Sequence, residues 1–532
     1  MDSEAFRKHG KEMVDFIADY WERLAERKPM PDVQPGFMNE LIPDEPPQTP
    51  HSWATIFNEL EPTVLSTNTN WHHPYFFAYY PTACSYPALM GDMLSSAIAS
   101  IGFTWKSSPS MTELEMKMTD WLASAIGLPE HFRNSDPGPG AGIIQATASD
   151  ATFVAILAAR ARIVASLKSN PSQFEKLSNA MNNLHLKSAI SNIFDSSPSN
   201  GVKENGGVTT FDSHDGSYFN RLVAYCSEQA HCSVAKGIML AGVKMRKIAT
   251  STTNSSNNFC IDEAALRQAI KATRLMAPPV SSKRFQEDRD HGLIPFILIA
   301  TVGTTGTCAV DDLRAVGPIC QQENIWLHID AAYAGSYLLC PEFRGMIDGI
   351  EYADSFDFNP HKAMMITFDC SPLWFKNATE ASLHFNVDAE YLKHEYQSTA
   401  TDYRHLQIAL GRRFRALKVW FVLRALGLDH IRNYQRTQVQ LSRLFADLIL
   451  EDPRFELVVP PNLGLVCFRL KGNNQLTNDL LNEINADGRI HLVAGKVEEI
   501  FFLRLAVCSA ATRDSHIRFT SEVIKELANK IV

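Results

Sequence analysis

The sequence lacks a long apolar run, a strong excess of one charge and paired cysteines. No stretch of about 18 apolar residues occurs, which argues against a transmembrane helix. The N-terminal stretch MDSEAFRKHGKEMVDF is polar and has no apolar signal-peptide region. The net charge is -9, from 50 Lys and Arg against 59 Asp and Glu, which does not favour nucleic-acid binding. We therefore expect a cytoplasmic protein without nucleic-acid or membrane partners.

Ten cysteines are scattered along 532 residues without the spacing of a metal site. The closest pair, Cys226 and Cys232, fits no common zinc pattern. So few cysteines in so long a chain do not suggest a disulfide scaffold, and we expect reduced thiols and no bound metal. The length itself indicates two or three domains.

Apolar periodicity divides the chain into three parts. Residues 4–27 have the spacing of an amphipathic helix, and a proline-rich stretch follows, so residues 1–85 are predicted to be a helical arm that docks on another surface. Residues 86–417 alternate helical stretches with short apolar runs, such as LIPFILIATVGTT, that suit strands buried on both faces. Residues 418–532 read as a smaller α+β domain. The predicted fold class is α/β, with a mostly parallel sheet in the large domain.

Two stretches and one cluster stand apart from this pattern. Segments 166–220 and 250–290 contain Ser- and Asn-rich stretches and are predicted to be surface insertions. Four basic residues cluster shortly before an apolar stretch, which favours an ordinary wet helix face over a binding patch. They are Arg412, Arg413, Arg415 and Lys418.

Four features suggest chemistry, although each has an ordinary structural explanation when taken alone. Lys362 lies in the apolar stretch DSFDFNPHKAMMITFDC, where a lysine is either neutral, paired or covalently used, or extends its amine to solvent. Asp330 ends the apolar run IWLHID, and ligands of open α/β sheets bind beyond the carboxyl ends of strands. The stretch QATASDAT opens a helix, with Ser149 as the expected N-cap, and offers N–H groups to a phosphate. His231 lies in the stretch YCSEQAHCSVAKG, and its imidazole could stack on or hydrogen-bond a ligand.

Together these features are the parts that a pyridoxal phosphate (PLP) site needs. A lysine binds the cofactor covalently, an aspartate keeps the pyridine nitrogen protonated, and a helix N-terminus holds the phosphate. The aromatic stretch NWHHPYFFAYYPTA, with Trp71, Tyr79 and Tyr80, suits an aromatic substrate, but a hydrophobic core patch explains it equally well.

Several long motifs, in the right order, resemble the group II PLP-dependent decarboxylases, in particular the animal aromatic L-amino-acid decarboxylase and histidine decarboxylase branch. They include HPYFFAYYPTACSYPALMGDML, IGFTWKSSPSMTELEMKMTDWL, WLHIDAAYAGSYLLCPEFRG and TDYRHLQIALGRRFRALKVWFVLR. Motifs of this length are more specific than a short pattern. The resemblance implies fold type I with a seven-stranded-type sheet, PLP as cofactor, and a homodimer whose N-terminal arm wraps around the partner. It also implies decarboxylation of an aromatic L-amino acid to its monoamine.

The resemblance further implies roles for individual residues. Lys362 matches the lysine that carries PLP, Asp330 the partner of the pyridine nitrogen, and His231 the histidine that stacks on the ring. Tyr391 matches the loop tyrosine that protonates the product carbon after CO₂ leaves. The other matched cofactor contacts are Thr147, Ala148, Ser149, Thr305, Ala332, Asn359 and His361. The matched substrate-pocket residues are Trp71, Tyr79, Tyr80, Thr82, Phe103 and Gly411.

Some positions depart from the family's usual residues. Ala363 follows the lysine where most members have an aromatic residue, usually Trp, and Leu406 and Ala409 replace a usual Trp and Pro. Gly411 matches the aromatic amino-acid branch, whereas Tyr80 matches the histidine branch. Because a side chain at position 411 would narrow the ring pocket, we favour L-dopa, 5-hydroxytryptophan or tyrosine over histidine as substrate.

Three alternatives remain open on the sequence. One is a histidine decarboxylase, and another is an aromatic aldehyde synthase of the same fold, which uses O₂. The third is a non-catalytic relative. Retention of His231 and Tyr391 argues against the synthase, and retention of Lys362 and Asp330 argues against a non-catalytic role.

Overall fold

The computed structural model describes most of the chain. The described residues are 1–169, 215–251, 258–275, 292–383, 385–387, 389–397 and 399–532. They form two compact units, one of Cys84–Arg432 and one of Met1–Ala83 together with Asn433–Val532. The predicted insertions lie largely outside the described residues. All ten cysteines are free thiols, and no helix of the described part is both long and apolar enough to cross a membrane.

Five α-helices precede the first strand, and helices and strands are interspersed from there to the end of the chain. The helices are α1 (Ser3–Glu22), α2 (Met38–Leu41), α3 (Trp53–Leu60), α4 (Tyr86–Ile98), α5 (Pro109–Ile126), α6 (Ala148–Ser169), α7 (Cys232–Leu240), α8 (Glu263–Leu275), α9 (Leu313–Glu323), α10 (Pro360–Ala363), α11 (Ala378–Leu383), α12 (Arg415–Leu450), α13 (Asn474–Asp487) and α14 (Asp514–Ala528). The strands are β1 (Ala141–Gln145), β2 (Leu222–Ser227), β3 (Lys244–Ile248), β4 (Thr250–Ser251), β5 (Cys260–Ile261), β6 (Ile294–Thr301), β7 (Trp326–Asp330), β8 (Ser355–Asp357), β9 (Ser371–Phe375), β10 (Phe455–Leu457), β11 (Leu465–Leu470), β12 (Val493–Val497) and β13 (Ile500–Ala506).

The Cys84–Arg432 unit is built on a seven-stranded sheet with strand order β1-β9-β8-β7-β6-β2-β3. Only β9 runs antiparallel to its neighbours, and the others are parallel. Every residue of β2, β7, β8 and β9 is buried, as expected for strands covered on both faces. The predicted α/β class with a mostly parallel sheet is confirmed. The carboxyl ends of six strands therefore lie at one edge of the sheet.

The second unit contains an antiparallel four-stranded sheet with strand order β10-β11-β13-β12, and α13 contacts the strands β11, β12 and β13. The segment that ends the predicted arm belongs to this unit, because Phe77 donates its N–H to the His491 carbonyl (3.0 Å) and accepts from the Ala506 N–H (3.0 Å). The helix predicted over residues 4–27 ends at Glu22, where a 3₁₀ turn begins at Leu24 and buries that side chain. Within the described part of the chain, no side chain of α1 is buried.

The basic cluster Arg412, Arg413, Arg415 and Lys418 lies at the start of α12. It is not a wet helix face, so the interpretation made from the sequence was wrong. Arg412 pairs with Glu115, and both side chains are buried. Lys418 is 1% exposed and lies 3.2 Å from the Asp92 carboxylate. Arg415 pairs with Asp369 at 2.8 Å, which leaves Arg413 as the one exposed member. Buried charges of this kind need partners, and these pairs tie the start of α12 to the rest of the Cys84–Arg432 unit.

Gly427 interrupts α12 with a φ of 72°, a left-handed conformation that glycine adopts without steric cost. Helical residues resume immediately after it, so α12 consists of two helical parts joined at a kink.

Candidate active site

The predicted cofactor residues follow parallel strands at the same edge of the large sheet. Asp330 is the last residue of β7, His231 follows β2, Thr305 follows β6, and Lys362 follows β8. Residues 147–149 follow β1, which is parallel to β8 because both are antiparallel to β9. The carboxyl edge of such a sheet is where open α/β folds bind ligands.

Asp330 is a buried carboxylate at the centre of this edge. It is 3% exposed, and its Oδ1 accepts a hydrogen bond from the Ala332 N–H (3.0 Å). The Ala332 carbonyl accepts in turn from the Asn359 N–H (3.1 Å), so the loops after β7 and β8 are tied together. A carboxylate in this position is oriented to hold a cation.

Lys362 lies in the one-turn helix α10, where Pro360 sets the first helical position. The neighbouring His361 is held in the interior: its Nδ1 lies 2.7 Å from the Cys370 carbonyl oxygen and 3.0 Å from the Cys370 backbone nitrogen. Burial lowers the pKa of His361 to about 3, and the positive charge of Lys362 acts in the same direction. His361 is therefore neutral and anchors the backbone beside Lys362. Its predicted cofactor contact stays a prediction.

His231 caps α7, with Nδ1 accepting the Ser233 N–H (3.2 Å). Although His231 is an exposed residue, the protein atoms around its ring lower its pKa. Asp330 opposes this shift and Lys362 adds to it. The electrostatic influence of both residues on one imidazole means that the structure brings His231, Asp330 and Lys362 together.

The N-terminus of α6 forms the expected anion-binding turn, but its cap is not Ser149. Thr147 Oγ1 accepts the Asp150 N–H (3.2 Å), while the Asp150 carboxylate accepts from the Thr147 N–H (3.2 Å) and hydroxyl (2.8 Å). This reciprocal pair is a capping box. The prediction of Ser149 as N-cap was wrong because Asp150 stands three residues after Thr147. The N–H groups of Ala148 and Ser149 point out of the helix end and suit a phosphate.

Two further predicted cofactor residues, Thr305 and Asn359, differ in their exposure. Thr305 lies on an exposed turn beyond β6. Asn359 is buried, and its Oδ1 has no hydrogen-bond partner among the described residues. The chemistry of the site fits PLP, because a lysine, a buried aspartate, an unpaired amide oxygen and a capped helix N-terminus are the groups that PLP needs. All four lie at the same edge of the sheet.

The predicted substrate residues divide between the two units. Phe103 and Gly411 belong to Cys84–Arg432, and a Cβ at Gly411 would meet Ile101 at 3.4 Å, an ordinary contact. The other four belong to the second unit, where Trp71 stacks on Tyr79 (5.2 Å), Arg504 lies over Tyr80 (5.1 Å), and Thr82 lies 3.5 Å from His72.

Tyr391 lies on a 3₁₀ turn, Glu390–Leu392, and is 77% exposed. The altered positions keep ordinary structural roles. Ala363 and Leu406 are buried, and the Leu406 carbonyl accepts a hydrogen bond from the Gln145 side chain (2.7 Å). Ala363 and Leu406 therefore pack in the interior of the Cys84–Arg432 unit.

Sequence reasoning missed a buried polar row beside Asp330. It consists of His328 on β7, Ser355 and Asp357 on β8, and Thr152 on α6. The signal was present, because the period of two in WLHID and SFD places these side chains on one face of the sheet with Asp330.

Because charges of opposite sign act on His231, removing one or the other should shift its pKa in opposite directions. Lys362→Ala removes a positive charge and should raise the His231 pKa, whereas Asp330→Asn removes a negative charge and should lower it. Histidine-labelled apoprotein, titrated by NMR with the resonance assigned through His231→Asn, measures both. Lys376→Ala, remote on the exposed surface, is the control. Shifts of the same sign in both variants would contradict the proximity of these three residues.

Comparison with known proteins agrees with this site. The family model described as "Pyridoxal-dependent decarboxylase conserved domain" matches residues 35–186 and 209–471. The chain is 43% identical to the Mus musculus aromatic-L-amino-acid decarboxylase, covering 100% of this chain and 99% of that one.

Solved structures agree as well. The Oryza sativa TDC with PLP and tryptamine has a TM-score of 0.84 and 31% identity, and the match covers 100% of this chain and 99% of that one. The Rhodiola rosea 4-hydroxyphenylacetaldehyde synthase has a TM-score of 0.81 and 30% identity, with the same coverage. The fold is type I, and the chain belongs to the pyridoxal-dependent decarboxylase family.

Proposed function

We propose that this protein is a PLP-dependent carboxy-lyase that converts an aromatic L-amino acid to its monoamine and CO₂. The observation that carries the proposal is the joint placement of Lys362, Asp330 and His231 at the carboxyl edge of the sheet. Full-length identity of 43% to an aromatic-L-amino-acid decarboxylase supports the same reaction.

Each residue has a defined task in this reaction. Bound PLP supplies an electron sink for the pair that is released when the substrate carboxylate leaves as CO₂. Lys362 would hold the cofactor through its amine. Asp330 keeps a proton on the ring nitrogen. The N–H groups of Ala148 and Ser149 hold the phosphate.

Two further side chains have proposed roles: one excludes water from the cofactor, and the other donates a proton to the product carbon. The neutral imidazole of His231, positioned by its bond to Ser233, covers the ring and excludes water from one face. Tyr391 delivers the proton that replaces the carboxylate on the product carbon. Covalent use of Lys362 explains why a lysine stands in so apolar a stretch.

For the substrate we propose L-dopa, 5-hydroxytryptophan or tyrosine, which places the enzyme in catecholamine or serotonin formation. The open position at Gly411 supports an aromatic ring larger than imidazole. Tyr80 favours histidine instead, and the similarity to a 4-hydroxyphenylacetaldehyde synthase keeps the aldehyde-forming reaction as the second candidate.

Product analysis tests the proposal directly. Purified protein with PLP is incubated with L-dopa, 5-hydroxytryptophan, tyrosine, tryptophan and histidine, and amine, aldehyde and peroxide are quantified by mass spectrometry and peroxide assay. We expect dopamine, serotonin or tyramine without peroxide. Lys362→Ala should abolish turnover and borohydride-fixed cofactor, whereas Lys376→Ala should retain both. Histamine alone, or aldehyde with peroxide, would contradict the proposed reaction.

The proton-donor role of Tyr391 makes a separate prediction. Tyr391→Phe removes the proton that completes the amine, so the ratio of aldehyde to amine should rise at least about tenfold. Tyr396→Phe changes the same kind of side chain five residues away and should leave the ratio as in the wild type. An unchanged ratio in Tyr391→Phe would assign the protonation to another group.

A homodimer is proposed from two apolar helix faces that the chain leaves exposed. On α4 an exposed face recurs at helical spacing and is about half accessible at each position. It consists of Tyr86, Met90, Met93, Leu94 and Ile98. On α1, Phe6 and Val14 are exposed in the same way. Exposed apolar faces of this kind mark association surfaces. We propose that a second copy of the chain covers them, in line with the predicted docking of the N-terminal arm on a partner subunit. A cytoplasmic location and the absence of nucleic-acid and membrane partners stay predictions.

A charge placed in the α4 face tests the dimer. Leu94→Glu should shift the dimer–monomer equilibrium toward monomer, because an ionised carboxylate cannot be buried in an apolar interface without a partner. Ser96→Glu, two residues away on the same helix and outside the apolar face, is the matched control. Light scattering coupled to size-exclusion chromatography measures both, and a monomeric wild type would overturn the proposal.

A further inference from the structure

A second carboxyl group ends the strand beside Asp330. Strands β7 and β8 are parallel and in register, so that Asp330 and Asp357 are direct partners. Neighbouring strands lie about 4.8 Å apart, and partners in register project from the same face. Asp330 is 3% exposed and Asp357 is fully buried. Two ionised carboxylates at this spacing, away from water, would repel strongly.

The hydrogen bonding around Asp357 does not suit an anion. Within the described part of the chain, neither of its carboxyl oxygens accepts a hydrogen bond. A buried carboxylate without donors loses its hydration and gains nothing in exchange. Asp330, by contrast, has the Ala332 N–H as a donor. The two neighbours therefore have different environments, and only Asp330 is equipped to carry charge.

Asp357 faces His328, which is equally buried: Oδ1 lies 3.2 Å from Nε2. Ser355 Oγ accepts the indole N–H of Trp326 (2.8 Å) and lies 2.9 Å from His328 Nδ1. In the tautomer that carries its proton on Nδ1 and donates it to Ser355, Nε2 is an acceptor beside Asp357. Thr152 Oγ1 lies 3.4 Å from the same Nε2.

The charges around the pair favour neutral forms of both groups. Burial raises the pKa of Asp357 well above its ordinary value, Asp330 raises it further, and Lys362 opposes the shift. Burial lowers the pKa of His328 to about 4, with Asp330 opposing. Neither group gains enough from the other to ionise, so a neutral acid stands beside a neutral imidazole.

We propose that Asp357 is a positioning residue: a protonated acid that faces His328 and leaves Asp330 as the single carboxylate at the edge of the sheet. The ring nitrogen of the cofactor then meets one negative charge, and the proton held there is not shared with a second carboxylate. This inference rests on the proposed role of Asp330 in binding PLP.

Infrared difference spectroscopy of the holoenzyme at pH 8 tests the proposal. Subtracting Asp357→Asn from the wild type should reveal one protonated carboxylic acid carbonyl band. The same substitution at the neighbouring Asp330 is the matched control, and its difference spectrum should contain a carboxylate band instead. A carboxylate band in the Asp357→Asn difference would overturn the proposal.

A measurement on the wild type alone removes dependence on the folding of a variant. Aspartate labelled with ¹³C at the carboxyl carbon shifts the acid band of protonated aspartates. Burial raises the pKa of Asp311 to about 6 and that of Asp357 well above its ordinary value. At pH 8, above the pKa of Asp311, we expect a shifted acid band from Asp357, and the absence of such a band would refute the neutral acid.

Cofactor affinity separates a role through Asp330 from simple packing. Asp357→Asn keeps a neutral side chain at this position. The dissociation constant for PLP should therefore stay within about threefold of the wild-type value, and the absorption spectrum of the cofactor should not shift. Asp330→Asn should weaken PLP binding by about 100-fold or more, since it leaves a cationic ring nitrogen unpaired. Equal losses in both variants would mean that Asp357 carries charge. Failure of the decarboxylase assignment itself would appear separately, in the product analysis of the wild type.

Discussion

The burial of one carboxylate, Asp330, at the end of a central parallel strand is the constraint on which the rest of the site depends. A charge in that position has exchanged water for a single backbone N–H, that of Ala332. Such a group is stable only beside a cation. The positive charge of Lys362 acts in this region, and under the proposed role of Asp330 a protonated ring nitrogen of PLP would fill the same need. In that proposal the cost of the buried charge becomes part of the affinity for the cofactor.

The parallel sheet makes this arrangement possible. With six strands ending at one edge, loops far apart in sequence deliver a lysine, a histidine and a capped helix N-terminus to the same place. The alternation of side chains also places His328 and Asp357 beneath the edge, on the same face as Asp330. The residue that we propose to keep Asp330 as the single carboxylate thus comes from the neighbouring strand.

Much of this could be predicted from the sequence, because the relevant signals are local. Short apolar runs predicted the parallel strands, and long motifs predicted the cofactor and the residues around it. The errors arose where the deciding partner is distant or where two local signals compete. Arg412 finds Glu115 across 297 residues and Lys418 finds Asp92 across 326, so neither burial is visible in a basic cluster. Thr147 and Ser149 both fit an N-cap, and Asp150 decided between them.

The fold does not determine whether the product is an amine or an aldehyde, since a 4-hydroxyphenylacetaldehyde synthase has the same architecture. What differs between the two reactions is the fate of the product carbon after CO₂ leaves, and therefore the delivery of one proton. The proposed donor, Tyr391, lies on an exposed turn. The neighbouring residues of this segment make a Trp105–Tyr396 ring pair (4.9 Å), a Lys106–Glu395 ion pair at the surface (2.6 Å) and a buried His394–Asp402 pair (3.1 Å). The surface pair stabilises little, whereas the buried pair holds this segment to residues further along the chain. The proposed cofactor contacts thus belong to the sheet edge, and the proposed proton donor belongs to a separate exposed turn.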